Sequence, residues 1–259
     1  DHVRLFRVSK RLRRMCSLPN TWRTLMFENR QMSTCKYTRR LVCPEQFHYV
    51  RRTNARCTLD MIQESKSSCD KLRHLNISRS DVADISMLST LTQLSKLNLV
   101  GTDVTDLAPL STLTQLHTLY LRTTRVSNIS ALSTLTQLHK LDLADNTIYD
   151  IFVLSTLSQL NTLNLYYTKV SDISPLSSLT QLHTLKLAST EVLDISSLST
   201  LTQLHTLSLA YATVYDISAL STLSQLHTLR LTGTCIPNIS SLYYRVKFWL
   251  FKGIYPILK

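Results

Sequence analysis

Five histidines of this 259-residue chain occupy one recurring position: His117, His139, His183, His205 and His227, with Asn161 standing where a sixth would fall. Imidazoles brought together at a fixed period could ligate a metal or respond to pH. No column of carboxylates adjoins them to complete a site, so they read better as a surface residue carried along by duplication. Asp142 and Asp145 are spaced like a carboxylate pair, but acid–base work needs a dry pocket that tunes their pKa values. The six cysteines (Cys16, Cys35, Cys43, Cys57, Cys69 and Cys235) contain no C-x-x-C pair, and zinc sites usually bring two ligands close together on one loop. They read as reduced thiols of an intracellular protein. There is no G-x-S-x-G, no phosphate-binding glycine loop, and only Gly101, Gly233 and Gly253. The expectation is a chain that is no enzyme, with no catalytic residue, metal, cofactor or small-molecule substrate.

What holds these residues is a repeat. One unit reads Leu94-x-x-Leu97-x-Leu99-x-x-Thr102-x-Val104-x-x-Leu107-x-x-Leu110-x-x-Leu113, and the triplet Asp84-Ile85-Ser86 returns every 22 residues, in full or substituted form, as far as Asn238. Leu97 and Leu99 alternate with polar neighbours, the period of a half-buried strand. Leu107, Leu110, Leu113 and Leu116 recur every third residue, as a tight 3₁₀ turn requires. One unit cannot bury this apolar set alone, whereas stacked units build a continuous core. Eight strands are expected, centred on Asn76, Asn98, Tyr120, Asp142, Asn164, Lys186, Ser208 and Arg230, in a sheet roughly 35 Å long.

Over about residues 71–242 the pattern resembles the leucine-rich repeats of the internalin type. The resemblance implies an α/β solenoid: a right-handed superhelix of about eight 22-residue repeats. Its parallel β-sheet would line the concave face, with 3₁₀ or irregular turns on the convex face and a small helical N-terminal cap. Two further columns then read as structural. Ser80, Thr102, Thr124, Asn146, Thr168, Thr190, Ala212 and Thr234 stand where this class usually places Asn, turned inward onto backbone groups that would otherwise be buried unpaired. Ala212 cannot do that work and marks a weak point. The Asp84 column should cap the turn that follows it.

Alternation along the strands lists the concave surface. Lys96, Tyr120, Arg122, Lys140, Asp142, Tyr166, Lys186 and Arg230 point outward, followed near the strand ends by Arg79, Asp145, Tyr167 and Tyr211. These positions differ from copy to copy while the leucines barely change. Tyr and Arg are the types enriched at binding hot spots, which makes Tyr166, Tyr167 and Tyr211, with Arg122 and Lys186, the candidate centre of a face that binds a protein ligand. The competing reading, drift wherever packing is indifferent, stays open on sequence alone.

Charge is concentrated at the other end. Residues 1–57 hold 14 Lys or Arg against three acidic residues, most of the formal net charge of +12. Such a block could bind nucleic acid. Leu5, Val8, Leu12 and Met15 instead form an apolar stripe on a basic helix, which favours the solvated face of short helices. Residues 5–27 resemble the second half of an F-box through Arg7, Val8, Ser9, Lys10, Arg13, Arg14, Trp22, Arg23 and Leu25. An F-box before leucine-rich repeats implies docking on a Skp-type adaptor of a cullin-RING ubiquitin ligase through Leu5, Val8, Lys10, Arg13 and Trp22, with the repeats holding the substrate. The expected organisation is 1–27 F-box-like, 28–70 a bridge or degenerate repeats, 71–242 the solenoid and 243–259 an aromatic C-terminal cap. No run of 18 apolar residues marks a membrane span. Val3 to Arg14 lacks the apolar core of a signal peptide, so a monomer in the cytoplasm or nucleus is expected.

Overall fold

The computed structural model describes residues 72–234 and, ahead of them, the backbone of two strands. Ten strands pair in chain order into one sheet: β1 (Leu25–Phe27), β2 (Tyr49–Arg52), β3 (His74–Asn76), β4 (Lys96–Asn98), β5 (Thr118–Tyr120), β6 (Lys140–Asp142), β7 (Thr162–Asn164), β8 (Thr184–Lys186), β9 (Thr206–Ser208) and β10 (Thr228–Arg230). All pairings are parallel, and the register puts Leu75, Leu97, Leu119 and Leu141 side by side. From β3 to β9 each strand leads through a turn into a five-residue 3₁₀ segment, beginning with Ser86–Thr90 and ending with Ser218–Thr222. This is the α/β solenoid the repeat implies.

The spacing of apolar residues explains each half of a coil. A strand as short as Lys96–Asn98 turns Leu97 inward, and Leu99 follows it into the core; both are fully buried. On the opposite side, Leu88, Leu91 and Leu94 donate their amides to the carbonyls of Ile85, Leu88 and Leu91 at 2.9 Å each. Three residues per turn bring every third side chain onto the same face, so these leucines point at the strand leucines and close the core. Neighbouring coils are stitched on the 3₁₀ side as well: the hydroxyls of Thr112, Thr134, Thr200 and Thr222 donate to the carbonyls of Ser89, Ser111, Ser177 and Ser199 in the coil before.

The sheet differs from the expectation at its N-terminal end. The array holds eight regular strands, but β1 and β2 extend it, and β1 lies within a segment expected to be helical. Register pairs Leu25 with Val50 and Val50 with Leu75, steps of 25 residues, against the 22 that separate Leu75 from Leu97. Those three extra residues per step, and Arg52 at the register position that Ile77 holds one strand later, hide both strands from a comparison at the 22-residue period. The residues expected to dock an adaptor (Leu5, Val8, Lys10, Arg13 and Trp22) and the aromatic segment 243–259 lie outside the described residues. Among the described residues no helix is long and apolar enough to cross a membrane.

Candidate binding face

The surface is built from the backbone outward. From β3 onward the residue five places after each strand's first residue adopts a left-handed conformation: Arg79, Thr123, Asp145, Tyr167, Ser189 and Tyr211 have φ between 53° and 57°, and Gly101 and Gly233 have φ of 67° and 71°. The cause is the ladder between coils. The amide of Arg79 donates to the carbonyl of Val100, that of Tyr167 to Ala188 and that of Tyr211 to Thr232, at 2.7–3.0 Å. The chain must then turn sharply to bring the next side chain inward. Left-handed residues therefore form a rim along one edge of the sheet, which displays Arg79, Asp145, Tyr167 and Tyr211 outward.

The inward residue after each rim position is structural, as expected. Hydroxyls of Thr102, Thr124, Thr168 and Thr190 donate to the carbonyls three residues earlier at 2.6–2.8 Å. Asn146 does more: Nδ2 donates to Leu121 one coil back at 2.8 Å and to Leu143 at 3.0 Å, while Oδ1 accepts the Thr124 hydroxyl. Ala212 has only its amide on the Leu209 carbonyl. The Asp84 column caps its turns. Asp84, Asp106, Asp150, Asp172, Asp194 and Asp216 each accept the amide two residues on at 2.8 Å. The amides of Ser86, Ser174 and Ser218, with their hydroxyls second, hold the Asp84, Asp172 and Asp216 carboxyls below their ordinary value.

On the sheet face, Tyr120 lies between two ammonium groups, with Lys96 Nζ 5.6 Å and Lys140 Nζ 5.3 Å from its ring centroid. Arg122 Nε donates to Asp145 Oδ2 at 2.8 Å. Asp142 Oδ1 accepts the Asn164 amide nitrogen at 2.9 Å and its own loop amide, from Ala144, at 3.2 Å. The two carboxylates thus have separate partners. Tyr166 and Tyr167 touch, with ring centroids 6.0 Å apart. Tyr211 sits two coils further along the rim, its ring over Gly233, where an added Cβ would lie 2.4 Å from its Cδ1. The three tyrosines of the expected centre therefore span three coils, and Arg122 lies two coils before Tyr166, engaged by Asp145 rather than by the tyrosines. Lys186 and Arg230 stand exposed on β8 and β10.

The histidines do stack, His117 on His139 at 5.3 Å and His183 on His205 at 5.0 Å. In His117, His139 and His183 the Nδ1 atom meets the carbonyl two residues earlier at 2.6–2.8 Å. A carbonyl only accepts, so Nδ1 carries the proton in these three. Among the described residues no group of three or more His, Cys, Asp or Glu is placed to hold a metal. Sequence reasoning missed a second feature: Tyr149, Phe152, Leu193 and Tyr215 are 57–73% exposed. Tyr149, Leu193 and Tyr215 stand between the rim and the 3₁₀ segments and Phe152 opens one, in columns otherwise filled by Ala, Ser or Thr, and that contrast was the available signal.

Charges divide between the two regions. Of the nine Lys and Arg residues between 72 and 234, six (Arg79, Lys96, Arg122, Lys140, Lys186 and Arg230) lie on the strands, on the rim or between the two. Of the eleven acidic residues, only Asp142 and Asp145 do. The three remaining cations are engaged off the face: Arg73 Nη1 donates to the carbonyl and side-chain oxygens of Gln93 at 3.0 and 2.9 Å, and Arg125 meets Asp103 and Lys169 meets Glu191, each at 3.0 Å.

A stack of coils with buried leucine columns, a parallel sheet along one side and 3₁₀ segments along the other defines a repeat solenoid. The chain belongs to the leucine-rich-repeat proteins. The family model for leucine-rich repeats (two copies) matches residues 136–178. The solved structure of an internalin C2 (inlC2) from Listeria monocytogenes is 30% identical, with 71% of this chain and 82% of that one covered and a TM-score of 0.68. An internalin (inlF) from the same organism is 33% identical, with a TM-score of 0.65 over 67% of this chain; the alignment spans about half, 51%, of that protein. The plant peptide hormone receptor RGFR1, solved in complex with RGF2, shares the fold at 15% identity and a TM-score of 0.58, over 67% of this chain and 30% of the receptor. No curated protein sequence matches the chain.

Proposed function

We propose that this chain is a protein-binding scaffold that holds its ligand on the sheet face and rim and contributes no chemistry of its own. The observation that carries the reading is the concentration of large side chains of varied type on one face. Core and capping columns repeat from coil to coil, whereas Tyr120, Arg122, Asp142, Tyr166, Tyr167, Lys186, Tyr211 and Arg230 differ along the sheet face and rim. Aromatic and arginine side chains there supply the large, amphipathic contacts that dominate interface energetics. The test is site-directed photo-crosslinking. A photoreactive amino acid is placed at Tyr166 or Tyr211, and at Gln115 or Gln159 on the opposite side, in cells that make the protein. Crosslinks to a defined set of proteins from the face positions alone are expected. Equal crosslinking from both sides would sink the reading.

A second reading makes the solenoid the substrate receptor of a Skp-cullin-RING ubiquitin ligase inside the cell. It is favoured by the F-box-like run around Val8, Lys10, Arg13 and Trp22 and by nothing else. A pull-down with a purified Skp-type adaptor, beside a Val8→Asp, Trp22→Ala variant, decides it. Binding lost in the variant supports the ligase role, and no binding by the folded protein removes it. Without it the chain is a free-standing scaffold.

A further inference from the structure

The sheet face has one electrostatic character and the flank beside it has the other. Six cations stand along the strands and rim against two carboxylates, and Arg122 already neutralises one of the two at 2.8 Å. The flank carries the remaining nine acidic residues, most of them fixed on turn amides. Exposed charges more than about 10 Å from a site are largely screened at physiological salt, so a ligand on the face meets the cations and not the acids behind them.

We propose that the face binds an acidic, extended polypeptide segment laid across the strands. The proposal rests on the protein-binding reading and names the chemistry of the partner. Lys96 on β4, Lys140 on β6, Lys186 on β8 and Arg230 on β10 place a cation on every second strand. Neighbouring strands lie about 4.8 Å apart, so the cations recur every 10 Å or so. An extended chain advances about 3.3 Å per residue, so a carboxylate at every third position meets one cation after another. Between β6 and β8 the line shifts by one outward position along the strand, from the place of Lys140 to that of Lys186, which gives the path a slant. Tyr120 braces the first two cations, because each ammonium rests on its ring. Tyr167 and Tyr211 on the rim offer apolar contact to side chains that lean off the path.

A single-stranded nucleic acid would use the same charges, but it binds chiefly by stacking bases on open aromatic rings. Lys96 and Lys140 approach the Tyr120 ring from the coils on either side, the open rings of Tyr167 and Tyr211 stand at the rim and not on the line of strand cations, and the acidic flank borders the sheet along its length. A duplex about 20 Å wide would overlap that flank, since each strand is only three residues across.

Fluorescence anisotropy with the full chain tests the proposal. The probes are a dye-labelled 15-residue peptide of repeating Glu-Ser-Thr, the same peptide with Gln for Glu, and a 15-nucleotide oligothymidylate. The Glu peptide should bind, with affinity falling as salt rises, and the Gln peptide should bind at least tenfold more weakly. Lys96→Ala with Lys140→Ala, and Lys186→Ala with Arg230→Ala, should each weaken the Glu peptide roughly three- to tenfold. The charge-matched pair Gln137→Glu and Gln159→Glu on the opposite side should change it less than twofold. Equal binding of both peptides, lost in the face variants, would overturn the acidic preference while leaving the scaffold reading intact. Binding that ignores the face variants places the site elsewhere and overturns the proposal. So does tighter binding of the oligothymidylate through the same lysines, or no binding of the Glu peptide.

Discussion

Replacing Asn146 measures how much stability depends on one inward-turned polar column. The side chain is buried, 5% exposed, and ties two coils together. It donates to the carbonyls of Leu121 and Leu143 at 2.8 and 3.0 Å and accepts the Thr124 hydroxyl at 2.8 Å. Asn146→Ala removes three hydrogen bonds at about 1 kcal/mol net each. The single proton of the Thr124 hydroxyl is shared between Asn146 Oδ1 and the Leu121 carbonyl, each 2.8 Å away; in the variant it turns wholly to that carbonyl, which brings the expected loss down to about 2 kcal/mol. Asn146→Thr should lose only about 1 kcal/mol, because a threonine hydroxyl reaches the carbonyl three residues earlier, as Thr168 reaches Leu165 at 2.7 Å. The assay is urea unfolding read as a midpoint shift at constant slope. Amide hydrogen exchange of residues 116–150 runs alongside it, because stacked coils can open locally. Equal destabilisation by Ala and Thr, or an Ala variant within about 0.5 kcal/mol of the parent, would refute the column's role, since such a shift lies below the worth of a single bond.

At Ala212 the same logic runs in reverse. Thr190 and Thr234 on either side hold their hydroxyls 2.6 Å from the equivalent carbonyls, so Ala212→Thr should raise the urea midpoint, by about 0.5–1.5 kcal/mol. On the rim, Thr123 is β-branched at φ 54°. Thr123→Gly should stabilise by up to about 1 kcal/mol once the glycine's extra unfolded-state freedom is subtracted, which a thermal melt would show. Gly101→Ala meets nothing closer than 3.8 Å and bears only the cost of the left-handed backbone, whereas Gly233→Ala must also push the Tyr211 ring aside. The second should melt lower and alter the near-UV tyrosine signal. In acid, the Asp84, Asp172 and Asp216 carboxyls have folded pKa values below their unfolded ones. Their contribution is complete above the unfolded value of about 3.9 and is lost as pH falls through the folded values. Melting temperature should therefore drop below about pH 4, and the drop should be shallower in a triple Asp→Asn variant. Asn128 shows that an amide oxygen fits, accepting the Ser130 amide at 2.9 Å.

The 22-residue period made most of the fold readable, because it carries both the strand alternation and the three-residue step of the 3₁₀ segments. Leu97 and Leu99, and Leu88, Leu91 and Leu94, could be assigned to opposite walls of one core before any coordinates. The two N-terminal strands were not readable, since Leu25, Val50 and Leu75 step by 25 and strand pairing tolerates what a fixed-period comparison does not. Face residues were legible as outward positions, but their partners were not. That Arg122 would meet Asp145, or that two lysines would share Tyr120, depends on side-chain reach between coils. The left-handed rim had a trace in the sequence, Gly101 and Gly233 at equivalent places. Six other residues of five types at the same position concealed it.

That rim bears on why the face is built as it is. Gly101 and Gly233 show that glycine suits the backbone there, and a left-handed L-residue costs roughly 1 kcal/mol or more relative to its ordinary conformations. A chain shaped for stability alone would carry glycine in every coil. This one keeps side chains at six of the eight places, among them Arg79, Asp145, Tyr167 and Tyr211. Asp145 holds Arg122 in place, and Tyr167 and Tyr211 project at 63% and 66% exposure with no core to fill. The leucine core gains nothing from Tyr167 and Tyr211, so on the proposed reading contact with a ligand is the term that offsets the strain. The face and the rim would then serve as one surface: cations on the strands for charge, tyrosines at the edge for apolar contact, and a leucine core that neither has to disturb.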